Sequence, residues 1–166
     1  ILKRNPFAVL NSIISTWNIN TIEKLLVYSR DILNAPYILQ EFSDKQIDNK
    51  NVLTVNFEAI VENPSEMMAK IYEFIGIVFH PSYLDYSNNK KYKGKYGDPT
   101  GVQKANKPQN KKISHWESIQ SDPYWADFVY SYSNHLGSDF LKKYGNYESV
   151  PQQYANTRSK KFEMYL

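Results

Sequence analysis

The opening stretch Ile1-Leu2-Lys3-Arg4-Asn5-Pro6-Phe7-Ala8-Val9-Leu10 decides how the rest of the chain is read. An apolar pair runs directly into Arg4-Asn5-Pro6, as at the end of a β-strand, and the reading expects the domain to start before Ile1. Asn5 suits the N-cap of a helix and Pro6 its first position, where the missing N–H costs nothing. Val9, Leu10, Ile13, Ile14 and Trp17 recur at helical spacing, which predicts a helix over residues 6–17. A strand that feeds a helix in this way is the opening half of an α/β unit.

Outward from there the pattern continues. A second helix is expected to start near Asn20 or Thr21, with Ile22, Leu25, Leu26, Ile32 and Leu33 as its stripe, and to break or kink at Pro36. Residues 43–51 are polar and read as a loop. Val52-Leu53-Thr54-Val55-Asn56-Phe57 is short and β-rich, as in a buried parallel strand. Asn63-Pro64 starts another helix, with Met67, Met68, Ile71, Tyr72 and Ile75 on one face and Gly76 at its end. Residues 87–112 lack periodicity and form a long loop. Asp122-Pro123 opens what reads as the last helix, with Trp125, Phe128, Val129 and Tyr132 inward and Gly137 past its end. The expected domain spans 1–145, with 146–166 as a polar, loosely attached tail.

Composition closes several routes. The 166 residues contain no cysteine, which removes disulfides, thiolate metal sites and cysteine nucleophiles. Three scattered histidines do not suggest a metal site, and His80, His115 and His135 each read as structural. No apolar run approaches the roughly 20 residues needed to span a bilayer. The net charge of +3 is too small to imply a polyanionic partner, so only its placement can matter. All six glycines lie from Gly76 onward, so nothing earlier can form a glycine-rich phosphate loop. The absence of cysteine favours a cytoplasmic, reducing compartment.

Three segments could carry chemistry. At Arg4-Asn5-Pro6, a helix N-terminus with an adjacent guanidinium suits an anion, and the hydroxyl of Ser12 lies on the same helix face. The plain alternative is a capped helix with a surface arginine. Between Lys90 and Lys112 stand eight lysines against one acid, Asp98. Glycines at the centre of Lys93-Gly94-Lys95-Tyr96-Gly97-Asp98 allow backbone N–H groups to approach an anion. A solvated basic loop, or one that binds nucleic acid through Tyr92 and Tyr96, are the alternatives. At Asn56-Phe57-Glu58 the residues follow a strand, where ligands of open α/β sheets sit. Phe57 could stack on a base, or belong to the core while Glu58 pairs locally.

Taken together and in this order, the three segments resemble the sulfotransferase family that uses 3'-phosphoadenosine 5'-phosphosulfate (PAPS). There a strand ends in Arg-[Asp/Asn]-Pro with a serine eight positions after the arginine, as in Arg4-Asn5-Pro6 and Ser12. A later strand ends in Tyr-Glu-Asp before Asn-Pro and a helix closing on Phe-[Leu/Ile/Val]-Gly. Here Phe57-Glu58-Ala59, Asn63-Pro64 and Phe74-Ile75-Gly76 stand in those places. The family's Arg-Lys-Gly-x-x-Gly-Asp loop is similar to Tyr92-Lys93-Gly94-Lys95-Tyr96-Gly97-Asp98. Two departures remove groups: Phe57 lacks the tyrosine hydroxyl, and Tyr92 lacks the arginine charge, for which Lys95 is one replacement.

The resemblance implies a P-loop-NTPase-like α/β fold, with a parallel sheet flanked by helices and truncated at its N-terminus. It further implies that Arg4, Ser12, Lys93, Gly94 and Lys95 hold the 3'-phosphate and that Phe57 lies by the adenine. PAPS is then the sulfuryl donor, without a metal, and the acceptor is a small molecule or glycan hydroxyl or amine. Nucleic acid is not a partner on this reading. The phosphosulfate loop and the catalytic base are expected upstream of Ile1. Two rivals remain open: a non-catalytic basic domain that binds nucleic acid or another polyanion, and a degenerate sulfotransferase fold kept for interactions.

Overall fold

A computed structural model describes residues 1–85 and 116–151. Strand β1 (Leu2–Lys3) leads into helix α1 (Pro6–Thr16), helix α2 (Ile22–Leu25) and helix α3 (Ala35–Lys45) before strand β2 (Val55–Asn56). Helices α4 (Phe57–Glu62) and α5 (Pro64–Phe74) follow, then a 3-10 turn at Pro81–Leu84. After residue 115 come α6 (Glu117–Gln120), α7 (Ala126–Leu136) and α8 (Ser138–Gly145). The described residues are therefore mostly helical, around a small sheet in which β1 and β2 run parallel. Leu2 pairs with Val55 and Lys3 with Asn56, and the helices between the strands supply the long crossover that parallel pairing demands. This bears out an α/β-like arrangement in its coarse form, with a sheet of two strands among the described residues.

Helix α1 forms as its sequence dictates. Asn5 Oδ1 accepts the Phe7 N–H at 2.9 Å and Pro6 occupies the first turn. Phe7, Leu10 and Ile14 face the core, where they meet Ile22, Leu25, Phe128, Val129, Tyr132 and Leu136. Phe7 lies between two rings, stacked on Trp116 with centroids 5.1 Å apart and edge-on to Tyr132 at 5.8 Å. Trp17, expected on the inner stripe, instead sits at the end of α1, is 62% exposed, and stacks on Tyr28. The reason is that α1 ends at Thr16, and Asn18 reverses the chain with φ 48°.

Regular helix geometry is interrupted just before Pro36, as expected, and Pro36 then stands in the first turn of a new helix. The chain from Ile22 passes through a 3-10 turn (Leu26–Tyr28) and a π turn (Arg30–Asn34) and enters α3 with Pro36 in its first turn. Proline has no N–H for the carbonyl four residues earlier, and its ring crowds that carbonyl. That carbonyl belongs to Ile32. The backbone widens, so that the Ala35 N–H reaches Arg30, five residues back. The Ile32 oxygen is satisfied from outside, by the Tyr132 hydroxyl at 2.8 Å in a buried setting.

Other boundaries also move. The expected strand 52–57 shortens to Val55–Asn56, since Phe57 already opens α4, although Ile1 still bonds to Leu53 and Val55 ahead of the paired residues. Helix α3 reaches Lys45, into the expected loop. Helix α5 keeps its Asn63-Pro64 start and its Gly76 end, with Gly76 at φ +75°. Its apolar face is only half-buried among the described residues, and Ile75 is exposed. The helix at Ala126–Leu136 is not the last, since Gly137 (φ +79°) turns the chain into α8. Residues 146–151 are not loosely attached: Val150 is buried and its N–H donates to the Ser133 Oγ at 2.8 Å.

Lys3 shows how a charge enters this interior. It is 7% exposed, its Nζ donates to Gln40 Oε1 at 3.1 Å, and it lies 5.0 Å from the centre of the Tyr144 ring. Burial holds its pKa below the ordinary lysine value, with Asp44 opposing that shift and Lys143 adding to it.

The Pro36–Ile32–Tyr132 arrangement gives a first prediction. Tyr132→Phe strands a buried carbonyl and is expected to cost roughly 1–3 kcal/mol in urea unfolding. In a Pro36→Ala background the new N–H can take the Ile32 oxygen, so the cost of Tyr132→Phe should shrink. Equal costs in both backgrounds would refute the account.

Candidate functional site

The register of β1 on β2 brings together two segments some fifty residues apart in sequence. Arg4 and Phe57 each stand one residue beyond the paired positions, at the carboxyl ends of adjacent parallel strands. The Arg4 guanidinium carbon lies 4.6 Å from the centre of the Phe57 ring. One face of that ring is therefore covered by the guanidinium. Phe57 is half-buried and belongs to the first turn of α4.

Next to this pair, Glu58 binds on both carboxylate oxygens. Oε1 accepts the Asn5 N–H at 2.9 Å and Oε2 accepts the Tyr147 hydroxyl at 2.8 Å. One side chain thus ties α4 to the β1–α1 turn and to the segment after α8. Burial and the bond to Glu58 push the Tyr147 phenol well above its ordinary range. Tyr144 is pushed up to about 12, mainly by burial, with a hydrogen bond from the Arg4 backbone opposing it. Gly145 is needed here for space, since a Cβ on it would collide with the Tyr147 ring. Asn146 completes the turn in the left-handed region at φ 58°.

Ser12 stands half-buried about two turns into α1, where its carbonyl accepts the Ser15 hydroxyl. No bond among the described residues joins the Ser12 hydroxyl to Arg4. Lys93, Gly94 and Lys95 lie outside the described residues, as does the rest of the basic loop and His115. His80 has a structural role, its Nδ1 accepting the Ser82 N–H at the 3-10 turn. His135 is exposed beside the Tyr37 ring.

A cavity of about 640 Å³ opens on the other side of Asn5, lined by Trp116, Glu117, Gln120, Ser121 and the chain from Asn146 to Pro151. Apart from Asn5, the residues around it carry no periodic signal, since Gln120 belongs to a one-turn helix and Trp116 stands just before it. Tyr147 has no sequence signal of its own, since the residues around it are polar like those of a tail. The Gly145-Asn146 pair was the available clue to a tight turn there. Among the described residues, no group of three or more histidines and carboxylates is placed to hold a metal ion. None of their helices is long and apolar enough to cross a membrane.

Chemically, a guanidinium held at a strand end beside a capped helix start suits an anionic ligand. Comparison with family models, with curated proteins and with solved structures finds no match to this chain.

Three buried or half-buried tyrosines, Tyr132, Tyr144 and Tyr147, have their pKa values raised on folding. A raised value means that the folded state holds the proton longer than the unfolded state. The stability gained is present below the unfolded value of about 10 and is lost as pH rises through the folded values. Thermal unfolding followed from pH 8 upward should show a declining limb beginning near pH 10. Tyr147→Phe, which removes one of the three phenols, should make that decline shallower.

Proposed function

We propose that this chain binds the 3'-phosphate and adenosine part of PAPS for a sulfotransferase. The observation that carries the reading is the convergence of two motif segments: Arg4 and Phe57 meet at the ends of adjacent parallel strands, as a nucleotide site at a sheet edge requires. In this reading Arg4 donates two parallel N–H bonds to the 3'-phosphate and Ser12 adds a hydroxyl from α1. Lys93, the Gly94 amide and Lys95 close over the same phosphate from the basic loop. The ring of Phe57 lies beside the adenine. Transfer of the sulfuryl group to a hydroxyl or amine further needs an acceptor in line with the donor, a general base and a cation on the bridging oxygen.

Calorimetric titration with adenosine 3',5'-bisphosphate and with AMP tests this directly. The bisphosphate is expected to bind at least about tenfold more tightly, since only it offers the second phosphate to the charged donor. Arg4→Ala should weaken the bisphosphate by roughly ten- to a hundredfold and leave AMP nearly unchanged. Equal affinity for the two nucleotides, with steep salt dependence for any polyanion, would replace this reading with that of a basic polyanion-binding domain.

A further inference from the structure

The cavity beside Asn5 has a chemistry of its own. Two of its lining residues are carboxamides buried inside the fold: Asn5 is 7% exposed and Gln120 is 9% exposed. Asn5 spends its Oδ1 on the helix cap, so its NH₂ group is the part of the amide that the cap leaves unused. Among the described residues the Gln120 side chain has no hydrogen-bond partner, and its polar atoms are not sealed from the cavity. An amide of this kind carries two donors and an acceptor with two lone pairs, held in one plane. Around it stand the half-buried indole of Trp116 and the side chains of Ser121 and Ser149. Among the described residues, the charged ones that line the cavity are Glu117 and Glu148, both acidic.

These groups select against an anion and in favour of a molecule dense in hydroxyls. A hydroxyl donates and accepts at one atom, so vicinal hydroxyls can satisfy both ends of a fixed carboxamide. The C–H face of a sugar ring is apolar enough to lie on an indole. The two carboxylates favour a neutral or amine-bearing ring over a phosphorylated or sulfated one. The volume is also within the roughly 300–1,000 Å³ usual for small-molecule sites. We propose that the cavity bounded by Asn5, Trp116 and Gln120 is a saccharide-binding site with a preference for neutral or amino sugars. Asn5 borders this cavity and follows Arg4 in sequence, so a sugar here adjoins the anion site. That it holds the acceptor for sulfuryl transfer rests on the reading given above; the sugar binding itself does not.

The test omits nucleotide, so that its outcome is independent of the bisphosphate titration. Glucosamine, glucose and glucose 6-phosphate are each titrated into the protein, with Trp fluorescence and the side-chain NH₂ signals of Asn5 and Gln120 in nitrogen–proton NMR spectra as readouts. Glucosamine and glucose are expected to shift both amide signals saturably, with glucosamine at least as tight and glucose 6-phosphate weakest. Gln120→Leu, which keeps the volume and removes the amide, should weaken glucosamine about tenfold. If that variant does not fold, the wild-type amide shifts decide the matter alone. Absence of saturable shifts with all three sugars, a preference for the phosphorylated one, or unchanged binding in folded Gln120→Leu would each overturn the proposal. None of those results would alter the comparison of adenosine 3',5'-bisphosphate with AMP.

Discussion

Each oxygen of the Glu58 carboxylate accepts one hydrogen bond, and the two donors lie 53 and 89 residues away along the chain, at Asn5 and Tyr147. Three segments that could otherwise move independently are held at one point. Joining segments so far apart is entropically costly, although the cost grows only slowly with separation. The carboxylate meets it with charge-assisted bonds, which are stronger than neutral ones in a partly buried setting. The parallel pairing of β1 with β2 and the placement of Arg4 over Phe57 both occur within a few residues of this clamp. The clamp also sets one wall of the cavity, because Tyr147 and Asn5 line it.

The hydrophobic interior has a second dependency of the same kind. A proline in the first turn of α3 deprives Ile32 of its usual donor, and a tyrosine from α7, a hundred residues later, supplies the missing one. The aromatic content of the chain is used here and around Phe7 for more than bulk. Tyr132 stacks on Phe128, meets Phe7 edge-on, and brings a hydroxyl to a carbonyl that helix geometry leaves unpaired. Arg4 and Lys3 divide their charges by strand alternation, one toward Phe57 and the other toward Gln40 and Tyr144. Lys3, the last residue of β1, is thereby buried, and Arg4, one residue beyond it, turns to the candidate site.

Some of this was legible in the residues themselves. Asn5-Pro6 and Asn63-Pro64 announce helices because such signals are local: both helices begin where those pairs place them, α1 with a side-chain cap from Asn5 and α5 on Pro64 without one from Asn63. The inward face of Trp125, Phe128, Val129 and Tyr132 followed from period alone. What period cannot report is which side of a proline the helix lies on, since Pro36 stops one helix as readily as it starts another. Nor does it report where a strand gives way to a helix, as β2 does at Phe57.

The starts of α1 and α5, the apolar stripe of α7, the first strand-to-helix step and the positions of Arg4 and Phe57 beside strand ends were set by the residues alone, because each depends on neighbours within a turn or two. Folding in three dimensions is what makes those two residues meet, closes Glu58 on Asn5 and Tyr147, and buries Gln120 beside a cavity. Each of these is a contact between segments far apart in the chain, set by the register of one strand on another and by how the helices pack. No local pattern carries that register, so it emerges only when the chain is folded.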